Sequence, residues 1–393
     1  MTLVGIVGKS NTGKSTFFKA ATLIDVEISN RIFTTLKPNQ GVGYVLSKCP
    51  CKEFGVSCSP RNSKCVNGIR FIPITIVDIA GLVPEAHKGK GLGNKFLSDI
   101  MEASALIHVI DCSGGTDDEG NPVMLGTHDP EKDIEFLPKE IDYWILEILT
   151  KNWTNIKKKA EVTKEKIEDL IHKQLSGLQM THETIKQAVK ELGITMDSDE
   201  GELLELIGYV REIDKPILIA ANKIDLKEAQ NNFEVLREKY RDIIPCSAES
   251  ELALREAAEH DMIDYIPGDK RFDMISDRLS ERQINALEFI RKSVLERYGS
   301  TGVQQALNKA VFDILRMIVV YPVANMNKLS DKSGNILPDA FLVKKGTKLK
   351  EFAFKIHKEI GEHFIGGLDI SKKKIGAEYE LKNGDIVEIL VRR

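Results

Sequence analysis

Apolar runs of strand length punctuate the chain at residues 3–7, 71–77, 104–111, 216–221 and 318–323. Continuous apolar runs bounded by turn residues predict strands buried in a sheet. From about residue 131 to 213 the pattern becomes charged. There Ile156, Val162, Ile167, Leu170 and Ile171 sit among charged residues, with Leu170 and Ile171 three and four residues after Ile167. That spacing predicts amphipathic helices, read as an inserted arm built on an antiparallel helix pair with smaller attachments. Near the C-terminus, Gly346-Thr347 opens a helix. Thr347 is placed to cap it, and Glu351 lies four residues on. Residues 382–390 read as a turn into a closing strand.

The first strand runs into Gly8-Lys9-Ser10-Asn11-Thr12-Gly13-Lys14-Ser15, and the helix-forming Phe17-Phe18-Lys19-Ala20-Ala21 follows. G-x-x-x-x-G-K-[ST] between a strand and a helix is a phosphate-binding loop. Its glycines turn backbone N–H groups inward, and the helix aims its N-terminus at the same anion. Asn11, Thr12, Gly13 and Thr16 belong to the loop wall; Lys14 would reach the β- and γ-phosphates, and Ser15 would bind Mg²⁺. The 71–77 strand ends in Asp78-Ile79-Ala80-Gly81. There Asp78 would hold Mg²⁺ through water and the Gly81 N–H would touch the γ-phosphate. Phe33-Thr34-Thr35-Leu36 supplies a threonine for the Mg²⁺ shell, with Thr35 preferred to Thr34. Lys14, Thr35 and Gly81 are therefore the candidate catalytic residues.

The base is read elsewhere. Asn222-Lys223-Ile224-Asp225 follows the 216–221 strand. A carboxylate in the base plane accepts both the N1 and N2 hydrogens of guanine, a donor pair adenine lacks. Asp225 is thus the guanine selector, Asn222 ties its loop to the phosphate loop, and the Lys223 stem covers the base. Ser247-Ala248-Glu249 stands where a backbone N–H would approach guanine O6.

These motifs, with Phe-Thr-Thr-Leu-x-Pro-Asn and Asp-Ile-Ala-Gly-Leu-Val, resemble the Obg-like GTPases. Residues 89–97 are similar to the second switch of the YchF branch, and within it to archaeal members. Other YchF proteins carry Asn-x-x-Glu and accept ATP, so Asp225 implies GTP here. Gly-Thr-x-x-Glu-Phe-Ala-x-x-Ile-His and Asn-Gly-Asp-x-Val-Glu-Ile resemble the TGS domain, a small β-grasp module. The resemblance implies an α/β protein: a doubly wound GTPase domain over 1–130 and 214–317, a coiled-coil-like helical insertion over 131–213, and a TGS domain over 318–393. It implies a GTP-hydrolysing switch whose partner is the ribosome, ribosomal RNA or another RNA-bearing assembly. A nucleotide-gated adaptor and an ATPase are the alternatives. Every nucleotide motif lies upstream of 318, so removing 318–393 is expected to spare nucleotide binding.

The 393 residues carry a net charge of −4, which excludes a generally basic nucleic-acid binder. The Lys157-Lys158-Lys159 run is either a nucleic-acid contact or a solvated helix face. No apolar stretch reaches transmembrane length, and the N-terminus reads as a strand. A cytoplasmic monomer is expected. Four of six cysteines crowd into C-x-C-x₆-C-x₆-C at Cys49, Cys51, Cys58 and Cys65. Zinc, disulfides and free thiols all fit that spacing. After D-x-x-G stands Leu82, where many GTPases place a water-orienting glutamine. Slow intrinsic hydrolysis follows, with Asn11 as a residue that can hold a compensating K⁺ against the phosphates.

Overall fold

The structure, a computed structural model, describes residues 2–22, 39–79, 81 and 99–392. Thr34, Thr35, Ala80, Leu82 and the 89–97 segment lie outside the described residues. The chain divides into two compact units. One comprises Met1–Thr2, Ile24–Thr75 and Leu307–Arg393; the other comprises Leu3–Leu23 and Ile76–Ala306.

Elements follow in chain order: β1 (Leu3–Val7), α1 (Lys14–Thr22), β2 (Gln40–Lys48), β3 (Lys64–Val66), β4 (Ile69–Asp78) and β5 (Ala105–Asp111). Helices α2 (Pro130–Thr150), α3 (Trp153–Thr163), α4 (Ile167–Leu175), α5 (His182–Leu192) and α6 (Glu200–Asp214) come next. Then come β6 (Ile217–Asn222), α7 (Lys227–Lys239), β7 (Ile244–Pro245), α8 (Ala248–Glu259), β8 (Ile263–Asp264), β9 (Asp273–Met274) and α9 (Glu281–Ile290). The C-terminal part holds β10 (Met317–Val323), β11 (Phe341–Lys344), α10 (Leu349–Ile356), β12 (Phe364–Leu368), β13 (Lys374–Ile375) and β14 (Ile386–Val391).

In the larger unit β1, β5, β6 and β7 run parallel in that order, and the Ile79 N–H donates to Ile6 O beside β1. Every residue of β5 is buried, as a parallel strand covered on both faces requires. The parallel arrangement brings the C-terminal ends of β1, β5 and β6 to one edge, where this fold class binds ligands.

The inserted segment holds a long helix pair with smaller helices attached, and it packs onto the sheet region. The long helices α2 and α6 pack on each other, and α4 and α5 join them. Leu137, Ile141, Trp144, Ile171, Ile185, Leu206 and Val210 share one core with Val7, Val77, Ile79 and Leu106 of the sheet region. The reason is length and capping. Asp129 caps α2, Thr181 caps α5 and Asp199 forms a capping box with Glu202 at α6. Each stop and start returns the apolar stripe to the same core, whereas a coiled coil needs uninterrupted helices. Lys158 and Lys159 are exposed on α3.

In the smaller unit β3 runs antiparallel to β4, pairing Cys65 with Arg70. Its second sheet has the order β11-β10-β14-β12-β13, with β10 and β14 parallel. Phe352 and Leu349 of α10 pack on Val320, Val343 and Val387, completing a β-grasp fold. Lys348, not Thr347, is the N-cap of α10. Its N–H meets the Glu351 carboxylate at 3.2 Å, while the Thr347 hydroxyl donates to Lys344 O at 2.6 Å. Arg70 is fully buried. It donates to Ser63 Oγ at 3.0 Å and Leu337 O at 2.8 Å, and its guanidinium carbon lies 5.4 Å from the Tyr321 ring centre. Cutting the chain at 318 would strip Leu337 and Tyr321 from a buried cation, a costly exposure of unmatched charge and core. The truncation is thus less innocent than motif positions suggest.

Candidate nucleotide-binding site

At the C-terminal edge of the larger unit's sheet lies a cleft of about 600 Å³. It is lined by Asn11, Gly13, Lys14, Ser15, Thr16, Gly81, Asn222, Lys223 and Asp225, with Lys9, Ser10, Leu226 and Glu249. Residues as far apart in sequence as Lys9 and Glu249 therefore converge on one cavity. The described members of all four motifs are near it; Thr35 lies outside the described residues.

The loop after β1 needs its glycines. Gly13 has φ +89°, and a Cβ there would stand 2.2 Å from Asn222 Nδ2. A side chain would clash as well as strain the backbone. Behind it α1 begins at Lys14, and Lys14, Ser15 and Thr16 of its first turn line the cleft, at the helix end whose N–H groups have no intrahelical acceptor. Thr12 is buried and turns its hydroxyl back to Lys9 O at 3.1 Å, so it shapes the loop. Lys14 Nζ lies 2.8 Å from Asp78 Oδ1, and Ser15 Oγ lies 3.4 Å from Asp78 Oδ2. The cation, hydroxyl and carboxylate assigned to phosphate and metal thus stand together.

Asn222 is the central brace. Its Nδ2 donates to Thr12 O at 2.9 Å, and its Oδ1 accepts the Ala248 N–H at 3.0 Å. Asp225 Oδ1 accepts the Ser247 hydroxyl at 2.7 Å. That hydroxyl also accepts the Ser250 N–H and so caps α8. The Ser247 N–H donates to Thr301 O. Both N–H groups expected near guanine O6 are therefore engaged in building the loop. The cause is the brace itself: the amide oxygen of Asn222 needs a donor once its nitrogen is fixed on Thr12.

Sequence reasoning missed the polar framework underneath. Lys223 Nζ pairs with buried Asp111 Oδ2 at 2.7 Å, and Lys223 adopts φ +65°. Buried Lys9 pairs with buried Asp133 at 2.6 Å and donates to Asp117 O at 2.5 Å. His128 Nε2 lies 2.8 Å from Asp133 Oδ1. Asn11 Nδ2 donates to Gly120 O at 2.9 Å. The phosphate loop is thereby tied to residues 117–133 from beneath. Burial raises the Asp133 pKa despite the opposing Lys9 and His128. Burial and then the Lys9 charge push His108 down to about 3, so it is a neutral core residue. Asp118, His128 and Asp133 come close enough to suggest a metal triad, but the Lys9 ammonium sits on Asp133. The polar, glycine-rich stretch over residues 113–129 carries no periodicity that could have paired them.

Comparison with known proteins places this site in context. Residues 3–151 match the model of a 50S ribosome-binding GTPase. Residues 220–325 match the G4 motif-containing domain of YGR210-like Obg-like GTPases, and 333–391 match the TGS domain. An uncharacterized GTP-binding protein of Methanocaldococcus jannaschii is 49% identical over 99% of both chains. The ribosome-binding ATPase YchF of Bacillus subtilis is 28% identical over 98% of this chain and 97% of that one. The crystal structure of a GTP binding protein from Pyrococcus horikoshii OT3 superposes over 100% of both chains with a TM-score of 0.78 and 39% identity. Among the described residues no helix is long and apolar enough to cross a membrane. With the phosphate loop, the Asn-Lys-x-Asp loop and the C-terminal β-grasp module in one chain, this protein belongs to the YchF-type branch of the Obg-like GTP-binding proteins.

Proposed function

We propose that the chain binds GTP with Mg²⁺ and hydrolyses it as a molecular switch acting on the ribosome. The observation that carries this reading is the shared cleft. Lys14 and Asp225 line the same cavity, and Asn222 bonds the loops that bear them. In this reading Lys14 meets the β- and γ-phosphates, the Gly81 N–H meets the γ-phosphate, and Asp225 meets guanine. The residues present suit Mg²⁺: Ser15 and Asp78 offer hard oxygens at the phosphate end, with Thr35 assigned to the same shell. The ion would neutralise charge developing on the phosphates. The contact to guanine O6 falls to the Glu249 N–H, the next in α8 after the two engaged ones. The ribosomal partner rests on the names of the related proteins and on the TGS domain. Calorimetry with GTP and ATP, followed by turnover with and without ribosomes, tests the reading. Tight GTP binding, weak ATP binding and ribosome-stimulated hydrolysis are expected. Equal affinity for the two nucleotides would remove the guanine assignment.

Potassium is the proposed substitute for a catalytic glutamine, since Leu82 cannot orient water. Asn11 Nδ2 is held by Gly120 O, which turns the role of cation ligand over to Oδ1. Hydrolysis is expected to run on the order of tenfold faster in K⁺ than in Na⁺, about 1.4 kcal/mol of barrier. The difference should vanish in Asn11→Ala. Identical rates in both salts at matched ionic strength sink the ion's role.

A further inference from the structure

We propose that Cys49, Cys51, Cys58 and Cys65 form a tetrathiolate zinc site that clasps the loop after β2 onto the C-terminal β-grasp domain. Its first support is geometry. The four Sγ atoms all lie within 4.8 Å of one another. Cys49 and Cys58 sulfurs are 4.0 Å apart, and those of Cys51 and Cys65 are 3.8 Å apart. Four sulfurs placed about 2.3 Å from a central zinc define a tetrahedron with edges of about 3.8 Å. Bonded sulfurs stand only about 2.0 Å apart. The spacing is that of co-ligands.

Local structure explains how a sequence without a C-x₂-C knuckle reaches this arrangement. Cys49 and Cys51 flank Pro50, which starts a 3₁₀ turn at Pro50–Lys52. Cys65 is fixed in β3 by its register with Arg70, and Cys58 comes back from the intervening loop. Cys49 and Cys51 are buried, and Cys58 and Cys65 are half-buried, as a closed structural site requires. A zinc with four thiolates carries two net negative charges. The buried Arg70 guanidinium stands beside them on β4, and its Nε has no hydrogen-bond partner among the described residues. A thiolate sulfur is a suitable acceptor for that proton.

The loop between the third and fourth cysteines does the fastening. Ser59 N–H donates to Ile336 O at 2.8 Å, and Arg61 N–H donates to Pro338 O at 2.7 Å. Asn62 exchanges two bonds with Ala340, at 3.1 and 2.9 Å. Arg61 pairs with Asp331 at 3.3 Å. Fixing Cys58 and Cys65 on one ion holds the intervening strap in register against residues 331–340. Metal binding forms four Zn–S bonds and releases four thiol protons to solvent; nothing is oxidised or reduced.

The test uses the full chain purified without an affinity tag. Elemental analysis should find about one zinc per chain after dialysis. Cobalt(II) exchanged for it should show the visible and charge-transfer bands of a tetrahedral tetrathiolate. The double variant Cys51→Ser/Cys65→Ser should lose the metal, and amide exchange should quicken in residues 59–62 and 336–340. GTP binding, whose described residues lie in the larger unit, reports whether that unit of the variant is folded. Should the variant misfold, stripping zinc from the parent chain with a strong chelator gives the same exchange comparison. Four thiols that alkylate at once in a metal-free native chain overturn the proposal. So does an intact mass showing two disulfides, or a chelated chain whose exchange at 336–340 is unchanged.

Discussion

Asp225→Asn is expected to weaken GTP binding by about 10³-fold or more and to make xanthosine triphosphate the preferred ligand. Two hydrogen bonds from guanine to a carboxylate are lost, each worth roughly 1.5–3 kcal/mol when one partner is charged. The structure also says which way the new amide faces. Ser247 Oγ donates to Asp225 Oδ1, so the asparagine oxygen is held on Ser247 and its NH₂ turns to the base. An NH₂ group opposes the guanine amino group but matches the C2 carbonyl of xanthine. Competition calorimetry with GTP, ATP and XTP measures the exchange. Retained GTP affinity in the variant would place the guanine contact elsewhere.

Lys14→Ala is expected to lower single-turnover GTP hydrolysis by about 10²–10³-fold, the range for losing one preorganised group aimed at developing charge. GTP affinity should fall as well, because Lys14 contacts the ground-state phosphates. The substitution has a second effect specific to this site. Asp78 loses the ammonium 2.8 Å from its carboxylate, while Ser15 Oγ stays 3.4 Å away. The midpoint of the Mg²⁺ dependence should therefore shift in the variant, with less Mg²⁺ needed to reach its own half-maximal rate, because no ammonium competes for the carboxylate. Quenched-flow rates across a Mg²⁺ titration separate the two effects. A parent-like rate would show that Lys14 does not reach the transferred phosphate.

The nucleotide motifs were legible in the sequence because each is local. Asn11, Gly13, Lys14 and Ser15 fall within one turn between a strand and a helix, and Asn222 and Asp225 share one tetrapeptide. Strand runs such as 104–111 were legible because complete burial leaves no polar alternation. What escaped was long-range polar pairing. Lys9 finds Asp133 and Lys223 finds Asp111 across more than 100 residues, and charge spacing at that distance carries no pattern. The helical insertion was legible as helices, but not in what covers them. Its 3.6-residue periodicity specifies an apolar face but not which partner covers it, and here the sheet region's core does. The cysteines gave composition without geometry: only the 3₁₀ turn and the β3–β4 register bring their sulfurs together.

Asn222 has a consequence beyond holding two loops. One amide fixes the phosphate loop through Thr12 and the base loop through Ala248, so each half of the cleft is built on the other. A nucleotide is then a bivalent ligand whose two recognition elements meet receptors already set at the right separation. The base half, once seated, presents the phosphate half at a high effective concentration, and the affinity of the whole exceeds what its fragments could reach apart. The same rigidity makes partial ligands poor ones. A nucleoside lacking phosphates, or a polyphosphate lacking a base, would leave half of this paired receptor unused.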